Sequence, residues 1–412
     1  MDSLLIQQVI GDQQKIALNK ERGTLREIDY QKYISAKQIT VISGIRRSGK
    51  STLLLQLADR FEKYHFITFD DERLINFKVG DFNSLMLEMK KYNSSNVFVF
   101  DEVQNVEKWE RFIRRLHDED SKIFISGSNA KLLGSELATH LTGRYIKKEL
   151  FPFSFLEFLK FKGLFTPERT TESISNILSG FDYYLENGGF PEFVKTNDVE
   201  YLKRIYEDII YKDIIVRFGI RNVSNFKNLV NYLFTNFTKE ISYNSLSVIL
   251  GIQSNTSIKE YISFLTESYL LFEIHKFDCS LKRQYISGRK FYVIDNGLRN
   301  IVAFRNTPDN GKLLENMIFI ELKRRNKEVF YYKTKSNYEI DFLAKDKSYS
   351  IIQVCYDISS GDTLNREIRA LEEAMAELNI KSSLLITYNT NKTIKTGKYT
   401  IRIVPAWEWL LG

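Results

Sequence analysis

Two cysteines, four histidines and five prolines in 412 residues set the first limits. Cys279 and Cys355 stand far apart, so no disulfide framework is expected and a reducing compartment suits the chain. His65, His117, His140 and His275 are scattered, which argues against a histidine-built metal site. No apolar run approaches the roughly 18–20 residues needed to cross a bilayer. The opening MDSLLIQQVI has neither a basic leader nor a long apolar core. A soluble, cytoplasmic protein is therefore expected. With so little proline and no Pro/Gly/Ser-rich linker, the modules should pack together rather than hang on tethers. Fixed-period repeats and low-complexity tracts are missing as well.

What is present is core-forming material. Hydrophobic residues make up 43% and aromatics 14% of the chain, which excludes disorder as a class. The length suggests about two to four domains. The formal charge of +7, from 59 basic and 52 acidic residues, is compatible with a polyanion partner without identifying one.

Residues 44–52 read GIRRSGKST. The apolar strand QITVISG precedes them and the helical pattern KSTLLLQLADRF follows, which is the context a phosphate-binding loop needs. Backbone N–H groups of such a loop wrap phosphates, and the helix N-terminus adds positive potential. The candidate nucleotide contacts are Gly44, Arg47, Ser48, Gly49, Lys50, Ser51 and Thr52, with Lys50 on the β- and γ-phosphates and Ser51 on Mg²⁺. Some fifty residues on, NVFVFDE is a short apolar strand ending in two acids. Asp101 would hold Mg²⁺ through water, and Glu102 would orient and deprotonate the attacking water. The next strand, KIFISGSNA, ends in small polar residues; Ser128 is favoured as the γ-phosphate sensor, with Asn129 as its competitor. Arg144 follows Gly143 in an exposed turn. It stabilises transition-state charge at its own or a neighbour's nucleotide, or it is a plain surface arginine.

The strings GIRRSGKST, VFVFDEVQ, SGSNAKLL, LTGR, LFPFSFLEF and NGGFPEFV, in that order, resemble a family of bacterial and archaeal AAA+-type ATPases. That family carries a C-terminal domain related to PD-(D/E)xK nucleases. The resemblance runs from about residue 36 to 405. It implies nucleotide binding by Gly44, Gly49, Lys50 and Ser51, handling of Mg²⁺ and water by Asp101 and Glu102, and a glycine–arginine turn at Arg144.

Residues 171–218 show helical spacing suited to a lid beside such a core, with GGFPEFV as a tight structural turn. Over 222–295 three helices, the second starting at Ser242, are followed by the strands LFEIHKF and RKFYVIDNGL, the pattern of a winged helix. Its DNA contacts would be Lys259 on the third helix and Lys282, Arg283, Arg289 and Lys290 on a basic two-stranded wing, mostly to phosphates. The C-terminal stretch supplies Glu315 on a helix and Asp341 on a strand, the placement of a metal-dependent nuclease site. Where the resemblance puts an acid and a lysine on the next strand, this sequence has Gln353 and Cys355. Lys345 and Lys347 are the nearest lysines in sequence, so a vestigial site that does not cut is expected.

The expected architecture is α/β: a helical lead over 1–35, a P-loop AAA+ core over 36–165, a helical lid over 166–220, a winged helix over 221–298 and a nuclease-like α/β domain over 299–412. The expected activity is Mg²⁺-dependent ATP hydrolysis coupled to DNA in a ring or other homo-oligomer, with Arg144 given in trans. Branched DNA follows only by analogy with the nuclease-like fold. Two further readings stay open: a nucleotide-dependent switch in a defence or signalling assembly, and an ATP-gated nuclease.

Overall fold

The computed structural model describes residues 1–128, 141–252, 254–303 and 309–412. The chain forms two compact units, Met1–Phe151 and Pro152–Gly412. Among the described residues no helix is long and apolar enough to cross a membrane.

In the first unit, helices α1 (Ser3–Asn19) and α2 (Tyr30–Ser35) precede strand β1 (Ile39–Ser43) and helix α3 (Lys50–Ala58). Then come β2 (His65–Thr68), α4 (Phe82–Tyr92), β3 (Val97–Asp101), α5 (Trp109–Asp118), β4 (Lys122–Gly127) and β5 (Tyr145–Glu149). The five strands are all parallel, in the order β2-β3-β4-β1-β5. A parallel sheet is covered on both faces, which is why its strands read as continuous apolar runs. Side-chain alternation divides the core accordingly. Ile39, Val41, Phe98, Phe100, Ile123 and Ile125 pack with α1, α4 and α5, while Ile42, Val99 and Phe124 pack with α2 and α3. The strand order places β4, which carries Ser126, between the loop-bearing β1 and the acid-bearing β3.

The second unit opens with α6 (Phe155–Lys162), α7 (Thr171–Asn187), α8 (Pro191–Thr196) and α9 (Val199–Asp208), the last running into a π-helix over Ile209–Val216. The GGFPE turn between α7 and α8 is structural. Gly188 has φ +71°, and a Cβ there would lie 2.1 Å from Asp295 Oδ1. The Asp295 carboxylate accepts from Gly189 N–H at 2.7 Å and Leu298 N–H at 3.0 Å.

Next come α10 (Val223–Thr235), β6 (Glu240–Ile241), α11 (Tyr243–Leu250), α12 (Asn255–Glu267), β7 (Leu271–His275), α13 (Leu281–Ile286) and β8 (Arg289–Val293). Ser242 caps α11 by accepting from Ser245 N–H, and Ile258, Ile262, Leu265 and Tyr269 are buried. The three strands form an antiparallel sheet, β6-β8-β7. A short helix, α13, stands in the connection expected to be a bare wing.

The rest is α14 (Asn296–Val302), α15 (Asn310–Arg324), β9 (Glu328–Lys333), β10 (Glu339–Lys345), β11 (Tyr349–Val354), α16 (Gly361–Glu377), β12 (Ser382–Thr387), β13 (Lys392–Thr396), β14 (Tyr399–Pro405) and α17 (Ala406–Leu410). Its mixed sheet has the order β13-β14-β12-β11-β10-β9. Helix α16 covers one face through Leu371, Ala374 and Met375. On α15, Phe319 stacks on Tyr292 of β8 with centroids 4.1 Å apart. Lys276, just past β7, bridges to Tyr331 of β9, so the three-stranded sheet runs up against the edge of the larger one. That junction brings β8 to β10.

Candidate functional site

The loop between β1 and α3 turns because glycine stands at its corners. Gly44 has φ +148°, and a Cβ there would sit 2.1 Å from the Leu150 carbonyl oxygen. Gly49 has φ +97° and begins α3. Arg47 takes a left-handed φ of 65° with a full side chain, a local strain of the kind that collects at ligand sites. Lys50 is buried at the start of α3; its Nζ donates to the Ile45 carbonyl at 3.1 Å and lies 3.9 Å from Glu102 Oε1. Ser51 and Thr52 follow in the first turn of the same helix.

Asp101 ends β3 fully buried, hydrogen-bonded by the hydroxyls of Ser126 and Ser51. Burial and the neighbouring Glu102 charge push its carboxyl up, against the pull of the two hydroxyls and Lys50. Glu102 has a left-handed φ of 51°, and its N–H donates to Ser126 Oγ at 3.3 Å. Its carboxylate accepts from the Gln104 side-chain amide. The motif therefore hands Asp101 to Ser51 and turns Glu102 toward Lys50.

Mg²⁺ and a nucleotide fit this site. The glycine corners leave room that a Cβ would fill, the Ser48 hydroxyl is buried without a partner among the described residues, and Ser51 already touches Asp101. Gly44, Arg47, Ser48 and Gly49 form the loop, and Lys50, Ser51 and Thr52 the helix start, of that cradle.

Two contributors escaped the sequence reading. Arg26 is buried and donates to the Ser48 carbonyl at 2.8 Å and the Phe151 carbonyl at 2.7 Å, bracing the loop from behind. Nothing in GTLREIDY marks it, because its partners are backbone carbonyls 22 and 125 residues away. Gln104, which steadies Glu102, was visible as part of VFVFDEVQ but carries no motif of its own. Ser128 follows β4 and is buried; its competitor, Asn129, lies outside the described residues. Arg144 stands at the far end of the sheet. Its carbonyl accepts from Ile39 N–H at 2.8 Å and its guanidinium pairs with Asp118. The loop leaves the other end of β1, about 13 Å further along at strand spacing.

The second unit holds a different cluster. Lys290 Nζ lies 2.7 Å from Glu339 Oε1, 3.1 Å from Glu315 Oε1 and 3.4 Å from Asp341 Oδ1. Its side chain is 2% exposed. Tyr292 donates to Glu315 Oε1 at 2.7 Å, and Val354 N–H donates to Asp341 Oδ2 at 3.0 Å. Burial would lower the Lys290 ammonium, but the charges of Glu315 and its neighbours outweigh it and raise the pKa. Asp341 is pushed up by burial and then by the Glu315 charge.

This corrects two expectations. Lys290 and Arg289 are not exposed phosphate contacts. Arg289 is buried against Glu273 at 2.8 Å and donates to the carbonyls of Gln284 and Tyr285, both at 2.9 Å, pinning α13. Of the expected DNA-contacting residues, Lys259, Lys282 and Arg283 are exposed, and Arg283 is tied to Asp278 at 2.9 Å. Nor do Glu315 and Asp341 stand ready for a metal. The space between them is taken by an ammonium that arrives from β8, not from Lys345 or Lys347; Lys345 leans toward Glu328 at 3.6 Å. Gln353 is no ligand either, since its oxygen accepts from Asp341 N–H at 3.1 Å and its amide donates to Glu367 at 2.9 Å. Burial pushes the Cys355 thiol up to about 11, so it stays protonated at neutral pH. Among the described residues no group of three His, Cys, Asp or Glu is placed to hold a metal ion.

The parallel sheet, glycine-cornered loop and paired acids define a P-loop ATPase fold of the AAA class. Residues 36–159 match the family described as AAA domain, 178–309 a domain of unknown function, DUF8612, and 310–409 another, DUF4143. The boundary at 309/310 separates Lys290 from its three carboxylates. A protein of Methanocaldococcus jannaschii described as uncharacterized is 37% identical, over 99% of this chain and 95% of the relative. One of Haemophilus influenzae, likewise uncharacterized, is 30% identical over 90% and 94%. The chain belongs to the family of these two proteins. Among solved structures, AMPPCP-bound DnaA from Aquifex aeolicus aligns with TM-score 0.30 at 15% identity, over 58% of this chain and 84% of that one. RuvB from Thermotoga maritima gives 0.29 at 17%, over 59% and 88%. Likenesses that distant carry no argument about function.

Proposed function

We propose that the chain is a Mg²⁺-dependent ATP hydrolase whose turnover is coupled to DNA. The observation that carries the hydrolytic part is the set Lys50, Ser51, Asp101 and Glu102 at one end of the sheet, with Glu102 turned to within 3.9 Å of Lys50. ATP supplies the phosphoanhydride, and Mg²⁺ supplies charge for its oxygens. Lys50 neutralises phosphate charge, Ser51 and Asp101 hold the metal side, and Glu102 takes the proton of the attacking water. Ser128, buried just past β4, is the candidate γ-phosphate sensor. Arg144 is offered to a neighbouring subunit of a homo-oligomer, a reading supported by its distance from its own loop.

For DNA, the support moves away from β8. Between Leu378 and Trp407 the chain has five cations and no carboxylate. Lys381, Lys392, Lys395, Lys398 and Arg402 are all exposed, and none has an ion pair among the described residues. Of these, Lys395 of β13 and Arg402 of β14 share a face of the sheet, with Lys398 in the turn between the two strands; cations so grouped suit a phosphate backbone, and Lys259 and Lys282 remain further candidates. The decisive experiment measures ATPase rate without DNA and with duplex, single strand and four-way junction. Stimulation that weakens steeply with salt, and fades when the five cations are changed to glutamine, is expected. A rate indifferent to every DNA would remove the coupling.

A second reading is a nucleotide-dependent switch or scaffold without a DNA motor. The burial of Arg289 and Lys290 favours it, because it withdraws two of the expected DNA contacts. Normal ATP turnover with no response to DNA would select it. The ATP-gated nuclease is the least supported of the three, because Glu315 and Asp341 are already paired with Lys290.

A further inference from the structure

We propose that Lys290 is the resident cation of the Glu315–Glu339–Asp341 cluster and that it excludes a divalent metal from it. The inference is independent of the ATPase reading. Three carboxylates from two elements, α15 and β10, each approach the Lys290 ammonium; placed around it as they are, they form no metal-ready group. Without a cation they would repel one another, Glu315 and Asp341 in a poorly solvated space and Glu339 half-exposed beside them. Mg²⁺ needs several oxygen ligands and keeps its waters. Here an ammonium lies within 3.4 Å of all three carboxylates, on a side chain that is 2% exposed.

The groups around it are already committed. Tyr292 donates to the same Glu315 oxygen that Lys290 approaches. The second Asp341 oxygen accepts from Val354 N–H. Gln353, in the position of a third acidic ligand, has both ends of its amide occupied. Two aromatic residues stand nearby: the Nζ lies 6.0 Å from the Tyr331 ring centroid, and Tyr292 is fully buried on the same strand. An ammonium differs from a metal in one consequential way. It is covalently part of β8, so the ion that balances the carboxylates also fastens the three-stranded sheet to α15 and β10.

The test uses the full chain without nucleotide and Mn²⁺ alone as the probe, read by electron paramagnetic resonance and by thermal melting. Wild type should bind no Mn²⁺ in a manner sensitive to Glu315→Gln. Lys290→Met keeps the apolar stem and removes the charge. It should melt at least about 5 °C lower, bind Mn²⁺, and recover much of the lost melting temperature in its presence. Adding Glu315→Gln to Lys290→Met should abolish that Mn²⁺ binding. If Lys290→Met does not fold, the triple variant Lys290→Met/Glu315→Gln/Asp341→Asn decides: a folded, metal-indifferent protein supports the proposal, and failure to fold overturns it. Glu315-dependent Mn²⁺ binding by wild type, or a folded Lys290→Met that gains none, overturns it as well.

Discussion

Gln353 and Glu367 share a hydrogen bond of 2.9 Å in which only an amide can be the donor. That pairing explains why glutamine stands on β11 where a metal site would want a carboxylate. Glu367 is buried, on the first half of α16, and already receives Arg366 at 2.7 Å. A glutamate at 353 would face it with like charge. Gln353→Glu should therefore destabilise the protein by about 2–3 kcal/mol at neutral pH. Chemical denaturation checks this; an unchanged unfolding midpoint would remove the explanation.

Lys50 and Glu102 lie side by side but should fail differently. Lys50→Ala removes phosphate-neutralising charge and should abolish tight nucleotide binding. Glu102→Gln leaves the cradle intact and should retain ATP while slowing turnover by about two to four orders of magnitude. Equilibrium binding and single-turnover rates measured on both variants separate the roles. Equal loss of binding in the two would show that Glu102 acts structurally.

Arg144 offers a test of assembly. If it serves a neighbour's nucleotide, Arg144→Ala and Glu102→Gln chains are each slow alone. Mixed, some interfaces carry one intact set, so the mixture should exceed the sum of its parts. Because Arg144 also pairs with Asp118, an Asp118→Ala variant reports the purely structural loss. A mixture that never exceeds the sum would leave Arg144 as a strut of β5.

Asp295 gives the helical turn a pH dependence of defined sign. Burial raises its folded pKa from 3.8 to about 6. The folded state therefore holds that proton more tightly than the unfolded chain does. Its contribution is complete below about pH 4 and is lost as pH rises through 6, amounting to about 3 kcal/mol at most. Asp295→Asn cannot titrate, and it also weakens the backbone N–H contacts from Gly189, Leu298 and Gly297. Its stability gap to wild type should narrow between pH 4 and 7 in chemical denaturation. A gap constant over that range would mean that Asp295 is not protonated in the fold.

The loop and its acids were legible because each is local: a strand, a few residues of fixed chemistry, a helix. GIRRSGKST and FVFDE carry their structural context with them. The lysine at the carboxylate cluster was not, because its partners lie 25 to 51 residues downstream. RKFYV was read as the edge of a basic ribbon, since adjacent Arg and Lys ordinarily mark a solvated surface. In the structure all five residues of β8 are buried. Alternation sends Arg289 to Glu273 on one side and Lys290 to the α15 and β10 acids on the other. A signal was available: the run continues FYVI, too apolar for a solvated wing, so its two charges needed buried partners. Arg26 gave no such hint.

The bond between Lys290 and its carboxylates bears on how the gene can be cut and rejoined. A fragment beginning near residue 310 would keep the six-stranded sheet and all three acids but lose the ammonium that neutralises them. It would also lose the strand that meets Tyr331. Recombination that transplanted such a piece into another protein would have to supply a new counter-ion, whether another lysine or a captured metal. A unit that keeps its own charge balance would therefore begin upstream of β8.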